Sequence, residues 1–268
     1  MQVHFLIEKG SGPLNEDNLV ITQNIFGVFD GVTSLDNYRD PHGNTGGLLA
    51  SRIAKRVFEK GGKPLVDLAL EANSLLREEM LKHGIDLSKK VSLWGTTAAV
   101  VQINRDTFDW IQIGDSQILV LYNENSYKLL VEDYDHDLET LILWKELADK
   151  KVKNIREFLL EPLQKAREKA NVSYGVLNGE REMMGFLNRG TEDLENVRHI
   201  LIFTDGLFIP QENPLRKDPF GPLVSLFLEG GLERIRDYVR EREKSDPECW
   251  KYPRFKPHDD MAAISISF

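Results

Sequence analysis

The sequence predicts an α+β fold, one layered domain spanning residues 1–268. Short β-branched and aromatic runs cluster near the N-terminus, in the middle and at the C-terminus. Helical periodicity fills the intervals between those clusters instead of alternating with single strands. No repeat, low-complexity tract or Pro/Gly/Ser-rich linker divides the chain. With 41% hydrophobic and 29% charged residues, the composition is that of a globular chain able to bury a core.

The elements follow in order. Residues 2–7, 18–22 and 25–29 read as short strands, the third running straight into Asp30-Gly31. Residues 32–45 carry Pro41 and Gly43 among polar residues and read as a loop. A helix is expected over 46–60, where Leu49, Ala50, Ile53, Ala54 and Val57 repeat at helical spacing. A second helix opens near Pro64 and stops at Gly84. Residues 96–103, 107–113 and 117–122 are rich in β-branched and aromatic side chains. Asn104-Arg105-Asp106 and Gly114-Asp115-Ser116 punctuate them, which predicts an antiparallel meander. Helical periodicity returns over 137–149 and 152–170, with Pro162 interrupting the latter. Residues 199–203 form an apolar strand ending on Asp205-Gly206. Residues 221–243 are helical and divided by Gly230-Gly231, and 261–268 is a closing strand entered through Asp259-Asp260.

Composition excludes several function classes. The formal net charge is −9 and no Lys/Arg block forms a basic face, against a nucleic-acid partner. No apolar run approaches the ~20 residues that span a bilayer. A lone cysteine, Cys249, rules out an internal disulfide, and the N-terminus shows no secretion signal; both predict a cytoplasmic protein. Cys249 also lacks the glycine-rich cradle and arginine that a thiolate phosphatase needs, and no Gly-x-x-x-x-Gly-Lys run supports an NTPase.

The acidic residues at strand ends carry the chemistry. Asn15-Glu16-Asp17 precedes a strand, Asp30-Gly31 and Asp205-Gly206 end apolar strands, Asp115 sits in a Gly-Asp-Ser turn, and Asp259-Asp260 opens the last strand. Singly, each is an ordinary turn former. Gathered at one sheet edge they would repel and raise one another's pKa unless cations neutralised them. Oxygen-only ligands suit hard cations, Mg²⁺ or Mn²⁺, and two such ions can activate water and clamp a phosphate.

Asn15-Glu16-Asp17, Phe29-Asp30-Gly31, Gly95-Thr96-Thr97, Gly114-Asp115-Ser116, Thr204-Asp205-Gly206-Leu207 and Asp259-Asp260-Met261 stand in the order of the metal-dependent type 2C protein phosphatases, the PPM family. Gly46-Gly47 followed by Ala50-Ser51 also resembles that family's glycine pair and first helix. The resemblance implies a four-layer α-β-β-α sandwich, two antiparallel sheets flanked by helix pairs, with metals in a cleft at one end. It further implies hydrolysis of phosphoserine and phosphothreonine on a phosphoprotein substrate, with two ions and an optional third. By the same resemblance Asp30 bridges both metals beside the Gly31 carbonyl, and Glu16 ligates the second, with Asp17 acting through waters. Asp205 and Asp259 complete the first metal's shell; Asp115 with Asp205 is the pair for a third. Asp30 and Asp205 thus act through metal-bound water, hydroxide being the expected nucleophile. Thr96 and Thr97 are expected to support the site. Asp259 is preferred to Asp260 as ligand because the family's motif reads Asp-Asn/Asp-hydrophobic.

The sequence departs from that pattern at the phosphate. Where the family has an arginine four residues before the glutamate, Gly12 stands here. Lys9 and Arg39 are candidate replacements, and His258 is a candidate proton donor; the plainer reading of each is a solvated surface residue. Val32-Thr33-Ser34 replaces the family's His-Gly-Gly or Met-Gly-Gly turn. Residues 171–190 fall where the family carries a flap, inside a helical insertion around 135–195. Two alternatives remain: another two-metal phosphoesterase or nuclease, and a pseudophosphatase that binds phosphoproteins without hydrolysis. A monomer is expected.

Overall fold

The computed structural model describes residues 1–32, 35–36, 38–132, 138–153, 155–215 and 220–268. Positions 33, 34 and 37 of the expected 32–45 loop lie outside the described residues. So do residue 137 of the 137–149 helix, residue 154 of the 152–170 helix, and 135–137 and 154 of the insertion.

The first strands are β1 (Gln2–Glu8), β2 (Asn18–Ile21), β3 (Ile25–Phe29) and a two-residue β4 (Gly31–Val32). Helix α1 (Gly46–Lys60) starts where the glycine pair predicts. In α2 (Leu65–Lys82), Pro64 is the N-cap and Gly84 lies two residues past the end with φ +71°. A short β5 (Gly95–Thr96) precedes β6 (Ala98–Ile103), β7 (Thr107–Ile113), β8 (Gln117–Tyr122) and β9 (Tyr127–Leu129). The second helical region holds α3 (Leu138–Asp149), α4 (Ile155–Phe158) and α5 (Leu160–Glu168). The break before α5 sits where Pro162 predicts an interruption. The chain ends through β10 (Asn188–Asp193), β11 (Val197–Phe203), α6 (Gly221–Lys244) and β12 (Met261–Ser267). Within α6, Gly230 and Gly231 leave helical geometry and divide it as expected.

These elements build an α+β sandwich of two five-stranded antiparallel sheets, in the orders β1-β12-β11-β8-β9 and β10-β7-β6-β3-β2. Between them lies an apolar layer including Phe26, Val28, Val101, Phe108, Ile118, Val120, Ile202 and Ile264. Helices α1 and α2 cover one outer face through Ala54, Phe58, Leu68 and Ala72 against Phe29, Val100 and Ile111. The two segments of α6 cover the other through Leu223, Leu232 and Ile235 against Leu119, Leu201 and Phe203. Strands buried on both faces read as nearly continuous apolar runs, which is why β3, β6 and β11 are so legible.

One expectation is corrected. The stretch 96–122 is not a single meander: β6 pairs with β7, but β8 pairs with β11 in the opposite sheet. Gly114, with φ +81°, turns the chain across the sandwich, a conformation that costs a Cβ-bearing residue strain. The Gln112 side-chain amide donates to the carbonyls of Gly114 and Ser116 and fixes that crossing. Thr97 also interrupts the expected 96–103 strand. Its N–H donates to the Asp30 carbonyl (2.9 Å), which stitches β5 to the end of β3.

Candidate metal centre

Sheet topology decides which carboxylates meet. β3 and β11 end at the same end of the sandwich, the Gly114–Ser116 crossing lies there, and β12 begins there. Asp30, Asp115, Asp205 and Asp259 therefore line one cleft, together with Gly31 and Thr97. Asp17 lies just behind, buried, accepting from the Thr204 hydroxyl (2.7 Å). Close backbone approach is built in: a Cβ on Gly31 would sit 2.5 Å from the Gly47 carbonyl oxygen, so glycines are required where β4 meets α1. Thr96 and Thr97 serve as braces. The Thr96 hydroxyl donates to the Asp30 carbonyl (2.8 Å), and the Thr97 hydroxyl meets that of Ser116 (2.6 Å).

The electrostatics of this cleft are unbalanced. Burial pushes the Asp30 carboxyl well above the usual carboxylate range, and repulsion from Asp17, Asp115 and Asp259 adds to it. Burial likewise raises Asp205, with repulsion from Asp30, Asp259 and Asp115. Asp17 is raised by burial, against the Thr204 hydrogen bond, with further repulsion from Asp259, Asp205 and Asp260. Among the described residues no three His, Cys, Asp or Glu side chains already close round one point as a metal cage. The donor chemistry nonetheless fits hard divalent ions: carboxylates only, held by sheet ends, at a local charge that one lysine does not neutralise.

The two adjacent aspartates behave differently. Asp259 lines the cleft, whereas the Asp260 carboxylate faces the opposite way and accepts from the backbone N–H groups of Gly10 (2.7 Å) and Glu16 (2.8 Å). Asp260 is a clamp on the 10–16 segment. Glu16 lines a second, neighbouring cleft with Ser11, Gly12, Arg39 and Thr45. Its carboxylate accepts from the Thr45 hydroxyl, its carbonyl from the Ser51 hydroxyl (2.6 Å) and from Gly31 N–H (3.2 Å). Thr45 also caps α1 by accepting from Leu48 N–H (3.2 Å). Thr45→Ala is expected to cost about 1 kcal/mol, lowering the melting temperature by about 2–4 °C in a calorimetric scan. An unchanged melting temperature would show that the cap contributes nothing.

The candidate phosphate contacts separate. Arg39 lines the second cleft, its guanidinium donating to the Gly43 carbonyl (2.8 Å). Lys9 is exposed and lines neither cleft. His258 also lines neither; its Nδ1 meets the buried Glu243 carboxylate at 2.9 Å, so its imidazole is tied to α6. Cys249 is buried, and burial pushes its thiol to about 11, which removes it as a nucleophile at neutral pH.

Sequence reasoning overlooked Lys256. Its ammonium donates to Asp259 Oδ1 (2.6 Å), and among the described residues it alone lines both clefts. It stands three residues before Asp259, a proximity visible in the sequence. The wall opposite the carboxylates was also missed. Leu163, Ala166 and Arg167 of α5, with Tyr174 and Val176, line the first cleft. This wall packs on the C-terminal loop: Trp144 Nε1 donates to the Cys249 carbonyl (2.9 Å), Trp250 Nε1 to the Val152 carbonyl (3.0 Å), and Trp144 meets Phe255 edge-on. Within the expected flap, Leu177 is buried and exchanges backbone hydrogen bonds with Thr96, so that segment is pinned to the site.

Comparison with known proteins follows the same lines. A sequence profile of the family described as Protein phosphatase 2C matches residues 10–240. No curated protein sequence matches the chain. Among solved structures, the chain is similar to serine/threonine phosphatase Stp1 from Staphylococcus aureus, with a TM-score of 0.62 at 16% identity over 100% of this chain and 94% of that one. It is similar to the Mycobacterium tuberculosis serine/threonine phosphatase PstP/Ppp, with a TM-score of 0.60 at 16% identity over 100% and 98%. The catalytic domain of PstP in complex with two manganese ions aligns with a TM-score of 0.59 at 14% identity over 98% and 96%. At these identities the structural likeness speaks for the fold.

Proposed function

The chain belongs to the protein phosphatase 2C family, and from that premise we propose that it hydrolyses phosphoserine and phosphothreonine esters on proteins with the help of divalent cations. One observation carries this reading: Asp30, Asp115, Asp205 and Asp259, delivered by four separate segments, line a single cleft in which burial and repulsion push up the carboxyls of Asp30 and Asp205. The PstP structure with two manganese ions supports the use of divalent cations, for which Mn²⁺ or Mg²⁺ is our choice.

In this reading Asp30, with the Gly31 carbonyl beside it, would serve both ions. Asp205 and Asp259 would hold the first and Glu16 the second, with Asp17 acting through waters, and Asp115 with Asp205 would hold a third. Bound there, the ions supply a water of lowered pKa and offset the charge of the phosphate. The remaining work falls to the protein. Thr204 orients Asp17, the Thr96 hydroxyl and Thr97 N–H hold the backbone of Asp30, and Asp260 fixes the segment bearing Glu16. Leu163, Val176 and Phe255 give the cleft an apolar wall.

The reading takes 1–268 as one phosphatase domain with 135–195 as an insertion over the site, acting as a cytoplasmic monomer on phosphoproteins. No helix among the described residues is long and apolar enough to cross a membrane. The test is phosphate release from a phosphothreonine peptide with and without millimolar Mn²⁺. Metal-dependent release is expected. Its absence would sink the enzymatic reading and leave the phosphoprotein-binding alternative.

A further inference from the structure

A half-buried ammonium in a carboxylate site is a question of charge and reach. The Lys256 side chain is 22% exposed and its Nζ sits 2.6 Å from Asp259 Oδ1. Burial alone would lower its pKa, but the charges of Asp259, Asp30 and Asp205 raise it above the ordinary lysine range. The ammonium is thus an internal cation of the cluster. Its backbone is held: Arg254 donates to the Pro257 carbonyl (3.2 Å) and to Asp246 (2.9 Å), and Phe255 packs on Trp144. Its head is not, because a four-carbon stem allows the ammonium to exchange partners without moving the loop.

Its position gives that exchange a direction. Lys256 lies where the carboxylate cleft and the Glu16 cleft share a wall. Gly12 presents no side chain to the second cleft, and the Arg39 guanidinium already donates to the Gly43 carbonyl. A divalent charge attracts a carboxylate about twice as strongly as an ammonium at equal distance and dielectric. Divalent ions taken up by the cluster would therefore compete with Lys256 for Asp259. A phosphate dianion brought to the junction of the two clefts is then the strongest partner within its reach.

We propose that Lys256 is a displaceable cation of this site: it neutralises Asp259 in the metal-free protein, and in the metal-loaded protein its released ammonium binds the phosphate group of the substrate. This rests on the metal-dependent phosphatase reading above. It assigns Lys256 two effects of opposite sign, weakening divalent-ion binding and strengthening anion binding, which a purely structural lysine would not show.

The test uses titration calorimetry on the full chain. Mn²⁺ is titrated into metal-free wild type and Lys256→Met, then inorganic phosphate into the Mn²⁺-loaded proteins. Lys256→Met is expected to bind Mn²⁺ about tenfold more tightly and phosphate about 10- to 100-fold more weakly, the range of a charge-assisted hydrogen bond. Unchanged phosphate affinity overturns the anion role. Unchanged or weakened Mn²⁺ affinity overturns the displacement. Should Lys256→Met fail to fold, Lys256→Arg carries the test: the guanidinium keeps the charge, so phosphate affinity at or above wild type is expected, and a tenfold loss overturns the proposal. Wild type that binds no Mn²⁺ would instead defeat the phosphatase reading itself, so the two failures are distinguishable.

Discussion

Asp30→Asn is expected to lower Mn²⁺-dependent phosphate release by more than about 100-fold, because even groups that merely support a metal ligand are typically worth 10- to 100-fold. The same substitution is expected to raise the melting temperature of the metal-free protein. Asp30 faces Asp17, Asp115 and Asp259, with Lys256 as the opposing charge, and burial is the largest reason its proton is held. Once that proton is lost as pH rises, the carboxylate is a charge that nothing but a cation compensates, and an amide at this position removes it. Each kcal/mol of relieved repulsion is worth about 2–4 °C in a domain of this size. The pH dependence has a definite sign. A carboxyl whose folded pKa lies above its unfolded value favours the fold fully below the unfolded value. That contribution is lost as pH rises through the raised folded value. Metal-free wild type is therefore expected to lose stability as pH climbs out of the ordinary carboxylate range, and Asp30→Asn to lose less. Mn²⁺ is expected to raise the wild-type melting temperature near neutral pH and to raise that of Asp30→Asn far less. Activity that survives Asp30→Asn would remove Asp30 from the site. An equal Mn²⁺ shift in both proteins would show that the ions bind elsewhere.

Much of this centre was legible because a buried strand writes its end plainly. Ile25–Phe29 runs straight into Asp30-Gly31, and Val197–Phe203 reaches Asp205-Gly206 one residue later, after Thr204. Order along the chain then supplied the grouping, and topology carried it out. What stayed hidden depended on pairing partners rather than local pattern. The Gly-Asp-Ser turn reads as a hairpin, yet it crosses between sheets, because register is set by which apolar face fills the sandwich. β10 was missed because Asn188–Asp193 is polar throughout, an edge strand with little buried surface to mark it. Lys256 was missed because a lysine in a Pro-Arg-Phe-Lys-Pro loop has the composition of a solvated turn. Only the folded loop brings its ammonium against Asp259. For Asp259 and Asp260 the motif gave a preference, and the folded chain gives each its place: one faces the cleft and the other holds the backbone of Gly10 and Glu16.

That loop is also where a change remote from the carboxylates should do most harm. Asp246 is buried and organises residues 246–257 from beneath. Its carboxylate accepts from the backbone N–H groups of Trp250 (3.0 Å), Lys251 (3.1 Å) and Tyr252 (2.9 Å) and from the Arg254 guanidinium (2.9 Å). Burial alone would raise this carboxyl; those donors outweigh burial and hold it below the usual range. Asp246→Ala leaves three N–H groups without their acceptor and a largely buried guanidinium without its carboxylate partner. Breaking such a buried pair from one side costs about 3–5 kcal/mol, equivalent to a melting temperature lower by about 6–20 °C. The consequence for the site follows from the same geometry. Arg254 holds Pro257, Phe255 packs on Trp144, and Arg240 of α6 donates to the Asp259 carbonyl (2.8 Å). With its carboxylate partner gone, Arg254 keeps only carbonyl acceptors, those of Glu243, Asp246, Tyr252 and Pro257, and the loop bearing Lys256 and Asp259 is held less firmly. Protein that remains folded is therefore expected to bind Mn²⁺ and phosphate more weakly than wild type, although no atom of Asp246 lines either cleft. Asp246→Asn keeps one strong acceptor and should fall between the two in stability. A melting temperature for Asp246→Ala within about 1 °C of wild type would show that the loop is held by its aromatic packing on α3 instead. Reduced stability with unaltered ion and phosphate affinity would show that the loop's anchorage and the site's geometry are independent.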